Sequence, residues 1–159
     1  MGRMTFERPR PLGEEDHVEG FHCGVDTVDL WVSRYALRAR SLGTAVVYAT
    51  FQGEKLAGLY SLSSQSLSRD ETSGWIARNA PLQVPVILLG MLGVDEAYQG
   101  QGLGHDLLLD AVRRAELVAG QIGARAIVVD PADDTARSFY ERYGFKAIPG
   151  SGRMFAKLR

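Results

Sequence analysis

Gly100, Gly102 and Gly104 alternate within Tyr98 to Leu108, "YQGQGLGHDLL", directly ahead of a leucine-rich run. Glycine weakens helices and strands alike, so such a cluster has a backbone reason. At a helix start the first N–H groups lack partners and the dipole is positive, which suits an anion such as a phosphate. Two phosphate-binding patterns do not fit. A dinucleotide fingerprint needs a third glycine where His105 stands, and an acidic residue about 20 positions on, where the chain reads "GQIGARA". A P-loop needs Gly-Lys-Ser/Thr, and the chain runs Gly104-His105-Asp106. A tight turn without a ligand remains the alternative.

The elements around the cluster follow from hydrophobic spacing. "VPVILLGMLGVDEAY" is a near-continuous apolar run, expected to be a buried central strand, with Gly90 and Gly93 marking a bulge or the close approach of a ligand. An amphipathic helix is expected from Leu103 to about Ala119, with Leu107, Leu108, Ala111, Val112, Ala115 and Val118 inward. "ARAIVVD" reads as another buried strand, "DDTARSFYERYGF" as an Asp-capped helix stopping at Gly144, and "FKAIPGSGRMFAKLR" as a last hairpin. Upstream, an irregular arm leads to a helix expected from a capping Asp26 to Gly43, its apolar face formed by Val28, Trp31, Val32, Tyr35, Ala39 and Leu42. "TAVVYATF" and "KLAGLYSLSSQSL" flank a hairpin turn at "QGE", and Ser68 to Pro81 is broken, with a short helix near Trp75. The sum is one α/β domain over residues 1–159, a mixed sheet with β–α–β crossovers in its second half.

Gln99-x-x-Gly102-x-Gly104 opens the long helix, and about 30 residues later come Asp133, Ala136, Phe139, Tyr140, Gly144 and Phe145. This pair of motifs resembles the GCN5-related N-acetyltransferase (GNAT) superfamily, over roughly Thr44 to the C-terminus. The resemblance implies a mostly antiparallel twisted sheet splayed at its central strand and flanked by helices. It implies acetyl-CoA as co-substrate, with no metal, and transfer of acetyl to a primary amine. Its diphosphate would sit on Gln99, Gly100, Gln101, Gly102, Leu103, Gly104 and His105, and its pantetheine arm along Leu92, Gly93 and Val94. Asp133 and Ala136 belong to the same cofactor motif. Tyr140 is the candidate acid: a phenol stays protonated at neutral pH and can donate to a departing thiolate. Tyr143 is its rival, and a core tyrosine with a satisfied hydroxyl is the plain alternative. His105 reads either as a base or as a surface neighbour of the phosphates. Asp95, Glu96 and water are all open as the general base.

Phe21, Cys23, Gly24, Asp29 and Trp31 resemble, more narrowly, the toxin branch of that superfamily, although Leu30 follows Asp29 rather than preceding it. That branch acetylates aminoacyl-tRNA, pairs with ribbon–helix–helix antitoxins and forms homodimers. Two features depart from it: Met91 stands after "LLG" where that branch carries Arg, and the net charge is −1 where it tends to be basic. Arg34, Arg38, Arg40, Arg69, Arg78, Arg142 and Arg153 are left to form any local patch for RNA phosphates. A GNAT acting on a small-molecule or peptide amine, or an acyl-CoA-binding module without turnover, are the other readings. Cys23 is the only cysteine, which excludes a disulfide within the chain; with three scattered histidines and no zinc spacing it reads as a buried, inert thiol. No apolar run approaches the ~20 residues of a membrane span, and no signal-peptide core is visible, so a cytoplasmic protein is expected.

Overall fold

The structure, a computed structural model, describes residues 5–158. The strands are β1 (Arg10–Pro11), β2 (Val46–Gln52), β3 (Lys55–Ser68), β4 (Gln83–Val94), β5 (Ala126–Val129), β6 (Lys146–Ala147) and β7 (Met154–Lys157). The helices are α1 (Asp26–Tyr35), α2 (Ala39–Leu42), α3 (Leu103–Ile122) and α4 (Asp134–Arg142). Strand order is β1-β2-β3-β4-β5-β7-β6. The β4–β5 pairing is parallel, while β1–β2, β2–β3, β5–β7 and β6–β7 are antiparallel. This is the mixed, mostly antiparallel α/β sheet expected from the sequence. The chain divides into two compact units, Met1–Leu62 with Met91–Ala111, and Ser63–Gly90 with Val112–Arg159.

In the first unit, β2 and β3 form the expected hairpin, with Gln52 opposite Lys55 and Gly53 at φ +59° in the turn. Its core gathers Leu12, Val18, Phe21, Cys23, Val47, Ala49, Leu56 and Leu59 under α1 and α2. The single helix expected from Asp26 to Gly43 is instead two, broken between Tyr35 and Ala39. The buried stripe runs Val28, Val32, Ala36, and the break turns Ala39 inward, leaving Tyr35 and Leu42 exposed. Asp26 makes no capping hydrogen bond. Asp29, one turn on, reaches back instead and accepts the N–H groups of Cys23 (2.8 Å) and Gly24 (3.4 Å). Two glycines set the packing distances. A Cβ on Gly58 would lie 2.9 Å from Leu107 Cδ1, and one on Gly93 3.2 Å from Val28 Cγ1. The close approach anticipated at Gly93 is thus made by protein, α1 and Cys23, on that side of the strand.

In the second unit, Val84 and Val86 on β4, Ala126 and Val128 on β5, and Phe155 on β7 share one apolar layer with Ile76, Ala80 and Ile148. Burial along β4 alternates, with Pro85 and Gly90 exposed, so the run is less completely enclosed than its composition suggests. The segment from Ser68 to Pro81 forms 3-10 turns at Arg69–Glu71 and Gly74–Ile76. α3 is longer than expected. Leu107, Leu108, Ala111 and Ala115 are buried as anticipated, and Leu103 with them, but Val112 is only half-buried and Val118 is exposed. In the part of α3 that belongs to the first unit, Asp110 joins the buried set, accepting the Tyr60 hydroxyl and Arg8 Nε (3.0 Å).

Candidate functional site

The glycine-rich stretch forms the entry to α3. Gly100 and Gly102 hold φ of +80° and +82°, a left-handed conformation that costs glycine little and other residues ~1 kcal/mol or more. The Gly102 carbonyl accepts the Asp106 N–H (3.1 Å), so the helical ladder begins there. The N–H groups of Leu103 and Gly104 precede the ladder and have no partner within the helix. Leu103 is buried and anchors the turn, whereas Gly100 and Gly102 are exposed, and a Cβ on Gly100 would meet nothing within 4 Å. His105 is exposed, with Nδ1 3.4 Å from Asp106 Oδ1. The residues are therefore those an anion needs: open backbone, a long helix behind it, and no Cβ over Gly100.

Gln99 fastens this loop rather than decorating it. Its Nε2 donates to the carbonyls of Val94 (2.8 Å) and Cys23 (2.9 Å). Asp95 completes the anchorage. It is 4% exposed; its Oδ2 accepts the His22 N–H (3.0 Å) and lies 3.2 Å from Lys55 Nζ, and its Oδ1 accepts the Ala97 N–H (3.0 Å). Burial opposes ionisation, but these donors outweigh it and hold the Asp95 carboxyl below its ordinary value. A carboxylate so fully engaged is a structural tie, not a free base. Glu96 is exposed, 3.5 Å from His22 Nε2, while His22 Nδ1 stands 2.8 Å from Asp29. Burial, offset by the Cys23 and Gly24 N–H groups and by His22, likewise leaves Asp29 below its ordinary value.

Because both carboxyls are depressed in the native state, they stabilise it above the ordinary carboxylate range. That contribution is lost as pH falls through their native values. Asp95→Asn should cost about 2–3 kcal/mol at neutral pH, the scale of a buried charge-assisted network. Urea melts of both proteins check it: the wild-type advantage should shrink below about pH 4, and an advantage constant with pH would contradict it.

Cys23 is buried, and burial pushes its thiol up to about 11, the inert state expected. Among the described residues no group of three His, Cys, Asp or Glu side chains could hold a metal ion.

Tyr140 lies in the second unit, on α4. The Asp133 side chain caps that helix, accepting the Ala136 N–H at 2.8 Å. Tyr140 is 8% exposed, its ring flanked by Phe139 (5.4 Å) and Phe145 (5.3 Å). Burial pushes its phenol up to about 12, so it keeps its proton throughout the physiological range. Buried tyrosines normally satisfy their hydroxyl. The Tyr140 hydroxyl forms no hydrogen bond with any described residue, which sets it apart from Tyr60. Tyr143 packs on Phe139 at 5.0 Å and is 39% exposed.

Sequence reasoning did not reveal Lys55 as a partner of Asp95, because the two stand 40 positions apart. It also missed a cation cluster in the second unit. Arg125 and Lys157 stand over the Trp75 ring at 4.5 and 4.7 Å, and Arg125 Nη2 donates to the carbonyls of Trp75 and Arg78.

A capped α4 bearing a buried phenol with an uncommitted hydroxyl, and a glycine turn opening α3, are features of an acyltransferase fold. The Acetyltransferase (GNAT) domain family matches residues 22–159, and the chain belongs to that family. The tRNA-acetylating toxin of Mycobacterium tuberculosis (strain ATCC 25618 / H37Rv) is 37% identical over 144 residues, covering 91% of this chain and 87% of the relative. Two solved structures of AtaT share the fold. One, complexed with acetyl-methionyl-tRNAfMet, has a TM-score of 0.83 at 22% identity, covering 96% of this chain and 94% of the other. The second is a tyrosine-to-phenylalanine mutant bound to the C-terminus of the antitoxin AtaR, with a TM-score of 0.80 at 19% identity, covering 97% and 92%.

Proposed function

We propose that this acetyltransferase acts on the α-amine of aminoacyl-tRNA and thereby blocks translation as a toxin. The observation that carries the reading is the 37% identity, along nearly the whole chain, to a tRNA-acetylating toxin. Phe21, Cys23, Gly24 and Asp29 support it physically, since Asp29 fixes the segment that also holds Gln99 and Asp95. Acetyl-CoA, when bound, supplies the activated acetyl group as a thioester. The backbone N–H groups from Gly100 to His105 would hold its diphosphate, with Gln99 and Gln101 at the base of the loop. Leu92, Gly93 and Val94 offer the strand backbone for its pantetheine arm. Asp133 and Ala136 set the start of the helix that carries Tyr140.

The transfer forms the amide C–N bond and breaks the thioester C–S bond. The amine proton goes to solvent, and the sulfur is protonated with help from Tyr140 Oη, which solvent then restores. With its pKa near 12, Tyr140 is a weaker acid than a thiol of about 8.5. It serves best as a hydrogen-bond donor to the charge developing on sulfur. The protein functions in the cytoplasm, where charged tRNA is, as a homodimer held in check by a ribbon–helix–helix antitoxin. No helix among the described residues is long and apolar enough to cross a membrane.

Incubation with labelled acetyl-CoA and charged tRNA tests the reading; label should appear on the aminoacyl group. The rate should climb with pH to a plateau above about 8, as an α-amine loses its proton. It should show no fall from Tyr140 up to about pH 10, since that phenol titrates well above. Transfer to free amines or peptides with none to charged tRNA would replace this reading with a metabolic or protein acetyltransferase.

A further inference from the structure

The net charge of −1 conceals an uneven division. The second unit holds eleven Lys and Arg against seven Asp and Glu, a net of +4; the first holds seven against twelve, a net of −5. In the first unit Arg8, Arg10 and Lys55 are ion-paired, as Arg8–Asp110, Arg10–Asp16 and Lys55–Asp95, whereas Arg34, Arg38 and Arg40 have no carboxylate partner among the described residues. In the second unit, Arg78, Arg125, Arg153 and Lys157 have no carboxylate partner among the described residues.

Two of these features rest on one apolar layer. Trp75 and Phe155 stack in it, with Arg125 and Lys157 over the indole, and the exposed Arg78 offers its carbonyl to Arg125 Nη2. Leu67 and Ile148 of the same layer line a cleft of about 590 Å³. Ser66, Ser68, Thr72, Ser151 and Arg153 add hydroxyls and a guanidinium, and Glu71 is its one carboxylate. The Thr72 hydroxyl is sealed from solvent and has no partner. A cleft lined by hydroxyls and Arg153, in a unit whose Arg78 and Lys157 also lack carboxylate partners, fits a sugar–phosphate chain.

We infer that this face of the second unit is the RNA-binding surface, with the cleft seating a backbone phosphate and ribose of the acceptor RNA. The inference rests on the aminoacyl-tRNA reading and adds the surface that reading lacks. The test is binding of fluorescently labelled, uncharged tRNA to the full chain across a salt series. Arg78→Gln, Arg153→Gln and Lys157→Gln should each weaken binding about 3- to 10-fold and flatten the log–log salt slope by roughly 0.7–0.9. Acetyl-CoA affinity, by calorimetry, should stay as in the wild type. Arg34→Gln and Arg38→Gln, on the other arginine-bearing face, should leave the slope unchanged. An unaltered slope when Arg78→Gln, Arg153→Gln and Lys157→Gln are combined, loss of slope in the Arg34→Gln and Arg38→Gln variants, or salt-independent binding by the wild type overturns the surface. Acetylation of charged tRNA is measured in parallel. Tight binding through these residues without transfer would sink the acceptor reading alone, and transfer with an unaltered slope would sink the surface alone.

Discussion

Tyr140→Phe should lower kcat by about 10²–10⁴, the range for removing a positioned proton donor, with the acetyl-CoA dissociation constant within about twofold of wild type. The stability should be preserved or slightly raised. The hydroxyl has no partner among the described residues, so its removal orphans nothing, while the ring keeps its packing on Phe139 and Phe145. That combination separates a catalytic hydroxyl from a core one: a core tyrosine with a satisfied hydroxyl would lose stability and keep turnover. Single-turnover acetylation beside a thermal melt reads both. In bacteria, the same substitution should relieve the growth arrest expected from expressing the wild type without an antitoxin. Unchanged turnover would remove Tyr140 from the mechanism and return attention to Tyr143.

Gly102→Val should weaken acetyl-CoA binding at least about 100-fold, whereas Gly100→Ala should weaken it only a few-fold. Both glycines are left-handed, but the two substitutions differ in kind. A β-branched residue at φ +82° is a true outlier, and the turn must flip to accept it. Flipping moves Gly102, whose carbonyl starts the α3 ladder, and with it the open N–H groups of Leu103 and Gly104. Two charge-assisted hydrogen bonds to a diphosphate, at about 1.5–3 kcal/mol each, account for that loss. Alanine at Gly100 has free space around its Cβ and carries only the left-handed penalty of ~1 kcal/mol. Calorimetric titration decides it, with circular dichroism to confirm that both variants fold. Equal affinities would mean that the loop's conformation does not govern the site.

What the sequence disclosed and what it hid divide along the range of the interaction. The Asp133 cap and the Gly144 stop lie within a dozen residues and follow from local rules, while Tyr140 between them was picked out by the motif resemblance. The β2–β3 hairpin was legible for the same reason. Asp26 looked like the cap of α1 but makes no capping hydrogen bond, and Asp29 instead reaches back to the N–H groups of Cys23 and Gly24 ahead of the helix. Tyr35, Leu42 and Val118 sat at helical spacing yet lie exposed, because periodicity gives a stripe and not its width. Lys55 with Asp95, and Gln99 with Cys23, join distant positions and leave no local pattern. Net charge misled most. A value of −1 argued against an RNA ligand, while the charge is divided unevenly, with a net of +4 in the second unit and −5 in the first.

The strap made by Gln99 and Asp95 on the glycine loop has a consequence for the speed of binding. A loop whose left-handed turns are set and whose base is tied at Cys23, Val94, His22 and Lys55 has lost its conformational freedom during folding. Its ligand then meets a rigid seat, so little ordering remains to be done at the moment of encounter. Association with acetyl-CoA should follow a single exponential whose rate rises linearly with concentration and does not saturate. Cutting the strap, as in Gln99→Ala, should introduce a concentration-independent limit as the loose loop waits to close.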